Sequence, residues 1–83
     1  MRQYLVETYV AAGKVDLPVT SAKARAAAAR LSSTGQAVRY VRSILLPEDE
    51  TCFHLFEGES RQAVERVSEA AGFGRGRIVE AVQ

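Results

Sequence analysis

The sequence predicts an α+β domain in which two helices pack on one face of a four-stranded antiparallel sheet. Three observations lead there. Four stretches alternate in polarity or favour β residues, two others repeat their small apolar residues at helical spacing, and their order along the chain is β-α-β-β-α-β. The 83 residues and 9.0 kDa allow one small domain over residues 1–83. Hydrophobic residues at 47% and charged residues at 25% match an ordinary globular domain and exclude a disordered tail or a collagen-like chain.

The first strand is expected over Arg2–Ala11, where Tyr4, Val6, Thr8 and Val10 fall on one side and Leu5, Glu7 and Tyr9 on the other. Gly13 and Pro18 then punctuate a loop. Thr20 or Ser21 is the expected N-cap of the Ala-rich stretch SAKARAAAARL, whose inward stripe is Ala24, Ala27, Ala28 and Leu31. Gly35 fits just past its end. The second strand is Gln36–Leu46, stopped by Pro47, and Glu48, Asp49 and Glu50 make a polar turn. The third is Thr51–Glu57.

Ser60 caps a second helix in which Ala63, Val64, Val67, Ala70 and Ala71 recur at helical spacing. Gly72 ends it, Gly74 and Gly76 loosen the connection, and Arg77–Val82 forms the last strand. Right-handed crossovers then give the ferredoxin-like split βαβ arrangement, with sheet order 4-1-3-2 and both helices on one face.

No unbroken apolar run exceeds four residues, so no segment can span a bilayer, which takes about 20. Glu7 interrupts the only stretch that could serve as an export signal, and the expected address is cytoplasmic. The net charge of +1 conceals a basic first part, +5 over residues 1–46, and an acidic second part, −4 over residues 47–83. Opposite charges along one small chain pair internally, so nucleic acid is not the expected partner. A single cysteine, Cys52, excludes an internal disulfide and a four-thiolate centre.

Two helices leave one sheet face uncovered. If Phe53 and Leu55 of the third strand turn inward, Cys52, His54 and Phe56 lie on the open face. Strand one sends Val6 and Val10 inward and leaves Leu5, Glu7 and Tyr9 open. Strand two leaves Tyr40 and Arg42 open, with Val41 and Leu45 inside. The open cluster then serves either as a homodimer interface, with Glu7 and Arg42 paired, or as a pocket. Cys52 and His54, at i and i+2 on a strand, point the same way. Thiolate plus imidazole suits zinc, copper or nickel, and Glu7 or Glu50 can add oxygen.

The segments YLVETYV (Tyr4–Val10), SILLPEDETCFHLFE (Ser43–Glu57) and AAGFGRGRIVEAV (Ala70–Val82) resemble a family of short bacterial ferredoxin-like proteins, common in actinobacteria. One branch of that family is described as nickel-binding or nickel-responsive. The resemblance implies the same fold, a homodimer through the sheet face, and Ni²⁺. Glu7, Tyr9, Cys52 and His54 lie in the matching blocks. The leading expectation is a dimeric protein that buffers, senses or hands on the metal, with Cys52, His54 and Glu7 as ligands and with binding that weakens below about pH 6 as imidazole protonates. The alternative is a cofactor-free enzyme, a polyketide cyclase or small oxygenase, with the open face as its pocket. There His54 would act as general acid or base, Tyr9 and Tyr40 as hydroxyl donors and Arg42 as the enolate partner. A third is an interaction module without chemistry.

Overall fold

The computed structural model describes residues 1–74 and 76–83. In chain order the elements are β1 (Arg2–Tyr9), α1 (Leu17–Ser33), β2 (Val38–Leu46), β3 (Thr51–Gly58), α2 (Arg61–Ala70) and β4 (Arg77–Ala81). Short 3₁₀ turns lie at Ala11–Gly13 and Pro47–Asp49. The sheet order is β2-β3-β1-β4, which counted from the other edge is β4-β1-β3-β2, and each neighbouring pair is antiparallel. Among the described residues no helix is long and apolar enough to cross a membrane. Arg75, in the connection expected to be loose, lies outside the described residues.

α1 begins at Leu17, ahead of the expected cap at Thr20 or Ser21. The Asp16 carboxylate accepts from the Val19 amide at 3.1 Å and caps it. Pro18 falls in the first turn, where its missing N–H costs nothing, so it opens the helix instead of marking a loop. α2 starts as expected, with the Ser60 hydroxyl accepting from the Ala63 amide at 3.1 Å. Its end is a left-handed Gly72 (φ +83°), which lets the Phe73 amide bond back to the Ser68 carbonyl at 2.9 Å.

Both helices bury their apolar stripes against the same face of the sheet. α1 contributes Ala24, Ala27 and Ala28, and α2 contributes Ala63, Val64 and Val67. A stripe of alanines brings a helix close to the sheet, and the volume of the core comes from the strands. Tyr4, Val6, Tyr40 and Phe56 supply it, with Tyr40 and Phe56 meeting edge to face at 5.5 Å between ring centroids.

The register overturns the expected facing of β3. Antiparallel partners share a face, and β1 pairs Tyr4 with Phe56, Val6 with His54 and Thr8 with Cys52. Because Val6 is buried under the helices, His54 must be too. Cys52, His54 and Phe56 therefore lie on the covered face, and Phe53 and Leu55 on the open one. Strand one is oriented as expected.

In β2 the register shifts between Tyr40 and Arg42, so Tyr40 and Ser43 both turn inward while Arg42 and Ile44 turn outward. Tyr40 is thus a core residue, not an open-face one, and Val41 occupies the irregularity instead of an inward position. Leu45, opposite Cys52, is on the covered side as expected. Within one chain Glu7 and Arg42 do not pair. Glu7 sits opposite Arg77 of β4 and pairs with it at 3.8 Å, whereas Arg42 is on β2, with β3 between that strand and β1.

The open face carries a half-buried apolar band of Leu5, Leu46, Phe53, Leu55 and Val79, continued by the 48%-exposed Ile44. Charged pairs flank it. Arg39 bonds Glu57 through Nε at 3.0 Å and through its terminal nitrogen, and Gln3 adds a 3.3 Å bond to the same carboxylate. Together these bonds hold the Glu57 carboxyl below its ordinary pKa.

Candidate functional site

His54 is the largest buried polar side chain, 1% exposed. A buried imidazole needs partners at both ring nitrogens, and the neighbouring strands provide them. Ser43, its cross-strand partner on β2, places Oγ 2.7 Å from Nδ1; Thr8 of β1 places Oγ1 3.2 Å from Nε2. Thr8 also donates to the Cys52 carbonyl at 3.2 Å. With the Thr8 proton on that carbonyl, its oxygen accepts from Nε2–H. The chain continues from Ser43 to the Tyr40 hydroxyl at 2.7 Å and on to Ser21 Oγ of α1, 2.9 Å further.

Phe73 completes the surroundings of the ring. Its side chain stacks on the imidazole with centroids 3.9 Å apart and planes 10° from parallel. The turn at Gly72 is what sends it back over β3. Burial pushes the imidazole pKa down from 6.5 to about 4 and pushes the Cys52 thiol up. At neutral pH the site therefore holds a neutral imidazole and a protonated thiol.

Beside this group lies a cavity of about 340 Å³, open on one side, between the end of β1, the start of α1 and the end of α2. Thr8, Cys52, His54 and Phe73 line it, with Lys14 and Lys23. The position of Lys14 follows from the preceding turn. Gly13, at φ +64°, lies so close to the Pro47 backbone that no side chain fits there. Glu50, itself left-handed at φ +51°, holds the same turn, accepting from the Ala12 amide at 2.6 Å while its carbonyl accepts from Val10 at 2.8 Å. The third acid of the expected polar turn thus holds the turn that leads into Lys14.

The structure divides the residues singled out from sequence. Cys52 and His54 stay together and share the cavity. Glu7 is on the opposite face and does not join them; Glu50 is engaged with the turn. Among the described residues no three His, Cys, Asp or Glu side chains come together to hold a metal ion. The four residues of the enzyme reading are split as well. His54 and Tyr40 are under the helices and Arg42 is on the other side, whereas Tyr9, 76% exposed at the end of β1, lines the same cavity as His54. Thr8, Ser43, Phe73, Lys14 and Lys23 were missed. Thr8 alone had a usable signal, since its place in the inward set of β1 puts it in reach of any inward residue on β3.

A family model described as "Nickel responsive protein SCO4226-like" matches residues 4–81. No curated protein and no solved structure matches the chain. The match covers all six elements except the first two residues of β1, with the Cys52–His54 pair and the cavity around it, and the chain belongs to the SCO4226-like nickel responsive protein family.

Proposed function

We propose that this protein binds nickel in the cytoplasm, as a ferredoxin-like homodimer, and buffers, senses or hands on the metal. The observation that carries this reading is the pairing of Cys52 and His54 on one face of β3, at the floor of one cavity, in a chain of a nickel responsive family. Sulfur and imidazole nitrogen form a donor set that suits Ni²⁺. The fit is partial, because two donors from this chain are too few to close a coordination shell. Cys52 would coordinate as thiolate, so binding releases its proton, and burial of the thiol makes that release harder. His54 would have to exchange a Ser43 or Thr8 hydrogen bond for the metal. Glu7 has no part in this arrangement.

The dimer rests on the open face. A sheet face with Leu5, Phe53 and Leu55 on its two central strands, Ile44 beside them and the Arg39–Glu57 and Glu7–Arg77 pairs around them has the makings of a self-complementary interface. Calorimetry with Ni²⁺ on wild type and Cys52→Ala tests the metal site. Wild type should bind with release of a proton and develop thiolate-to-nickel absorption, and the variant should lose both. Equal, weak binding by the two proteins would remove the site. Sedimentation of the wild type checks the dimer.

A further inference from the structure

Three ion pairs bridge neighbouring strands, Arg2 with Glu80, Arg39 with Glu57 and Arg77 with Glu7. The cavity between β1, α1 and α2 is charged differently. Lys14 and Lys23 line it, no carboxylate does, and neither lysine joins an ion pair among the described residues. The carboxylates that flank this loop are engaged, Asp16 by the Val19 amide and Glu50 by the Ala12 amide. An adjoining cleft shares Lys23, Ala71 and Gly72 with the cavity and adds Arg30, again with no acid in its lining. Part of the basic excess of residues 1–46 is thus gathered, uncompensated, around one concavity, which favours an anionic ligand.

The rest of the lining is apolar or neutral. Lys14 and Lys23 are exposed, so their charges lie at the rim, whereas Val15, Thr20 and Phe73 are half-buried and Ala71 is buried. Cys52 and His54, 0% and 1% exposed, form the floor, and with both imidazole nitrogens hydrogen-bonded they offer a ligand no free donor atom as they stand. A volume of about 340 Å³ is at the small end of the range for ligand cavities, roughly 300–1,000 Å³. We infer that this cavity binds a small monocarboxylate with an apolar body. The carboxylate meets the Lys14 and Lys23 ammonium groups at the rim. The body lies inward against Val15, Ala71 and Phe73, with the Thr8 and Thr20 hydroxyls beside it. A bare inorganic anion would leave the apolar wall in water, and a neutral apolar molecule would leave the two ammonium groups without a counter-charge. No step of this recognition involves nickel.

Benzoate and hexanoate are suitable probes, one flat and one flexible. Benzyl alcohol supplies an apolar body without the charge, and inorganic phosphate supplies charge without the body. Each is titrated into the metal-free full chain, with affinity read by calorimetry and the place of binding by amide NMR shifts. The series is repeated on two double variants, Lys14→Gln/Lys23→Gln and Lys14→Arg/Lys23→Arg, whose melting curves check that they are folded.

The expected result is that at least one carboxylate binds wild type about tenfold or more tighter than benzyl alcohol and phosphate do. The shifted amides should be those of Lys14, Val15, Gly72 and Phe73. The Gln variant should lose the preference, and the Arg variant, which keeps both charges, should retain it. Phosphate binding as tightly as the carboxylates overturns the proposal in favour of a plain anion site, and benzyl alcohol binding as tightly overturns it in favour of an uncharged apolar cleft. An unchanged preference in the Gln variant, shifts confined to the open sheet face, or no binding of either carboxylate also overturns it. Because all titrations are metal-free, none of these outcomes bears on the nickel site, which the Cys52→Ala comparison tests separately.

Discussion

The two faces of the sheet differ in where their polar and apolar side chains sit relative to the helices. The covered face, under both helices, holds buried His54, Cys52 and Tyr40 together with half-buried Thr8 and Ser43. The open face holds Leu5, Phe53, Leu55, Ile44 and Val79. Buried polar groups are tolerated because each has a partner, and no buried side-chain nitrogen or oxygen among the described residues is left unsatisfied. The polar hydrogen-bond network of the chain is thus under its helices, and a half-buried apolar band is on the bare side.

Paired truncations test that contrast most strongly. Phe56→Ala removes a fully buried ring from the covered face and should cost about 3–5 kcal/mol in urea unfolding. Phe53→Ala, its half-buried neighbour on the other face, should change the stability of the monomer by under about 1.5 kcal/mol. It should instead weaken self-association, seen as a lighter species in light scattering. A large loss of monomer stability from Phe53→Ala would erase the distinction between the faces.

The next effect is set by pH. The folded pKa of His54, about 4, lies below its ordinary 6.5, so the unfolded chain binds the extra proton first as pH falls. The contribution of the neutral ring is complete above pH 6.5 and is lost progressively as pH drops toward 4. The shift corresponds to about 3 kcal/mol, lost between these two pH values. Melting of the metal-free protein should decline over this window more steeply for wild type than for His54→Gln.

A smaller effect separates two threonines. Thr8→Val deprives the buried Nε2–H of its acceptor and should cost about 1–2 kcal/mol. Thr51→Val on the open face loses only a bond to the exposed Asp49 carbonyl at 2.9 Å and should stay within about 0.5 kcal/mol. Equal costs would mean that the His54 network contributes no more than a surface turn.

The elements were legible because each is a local matter. Alternation marks β1, the alanine stripe marks α1, and Ser60 and Gly72 bracket α2 through capping chemistry. Pro18 was misread because its ring suits a first helical turn as well as a loop, and Asp16 settles which. The site was legible only in part. The i, i+2 spacing of Cys52 and His54 guarantees that they share a face, but not which face it is.

By itself, then, the sequence determined the element order, the inward side of β1, the helix stripes apart from the exposed Ala70, and the companionship of Cys52 and His54. All of these rest on interactions within a few residues. The tertiary structure alone decided that Cys52 and His54 go under the helices, that Glu7 parts from them, and that Lys14, Lys23 and Phe73 join them. Those outcomes depend on strand register and on a shift at Val41, where one residue of slip exchanges the faces. In β3 both alternating sets, Cys52/His54/Phe56 and Phe53/Leu55, are apolar enough to be core, so hydrophobicity is nearly silent. Pairing with a β1 whose Val6 must be buried breaks the tie.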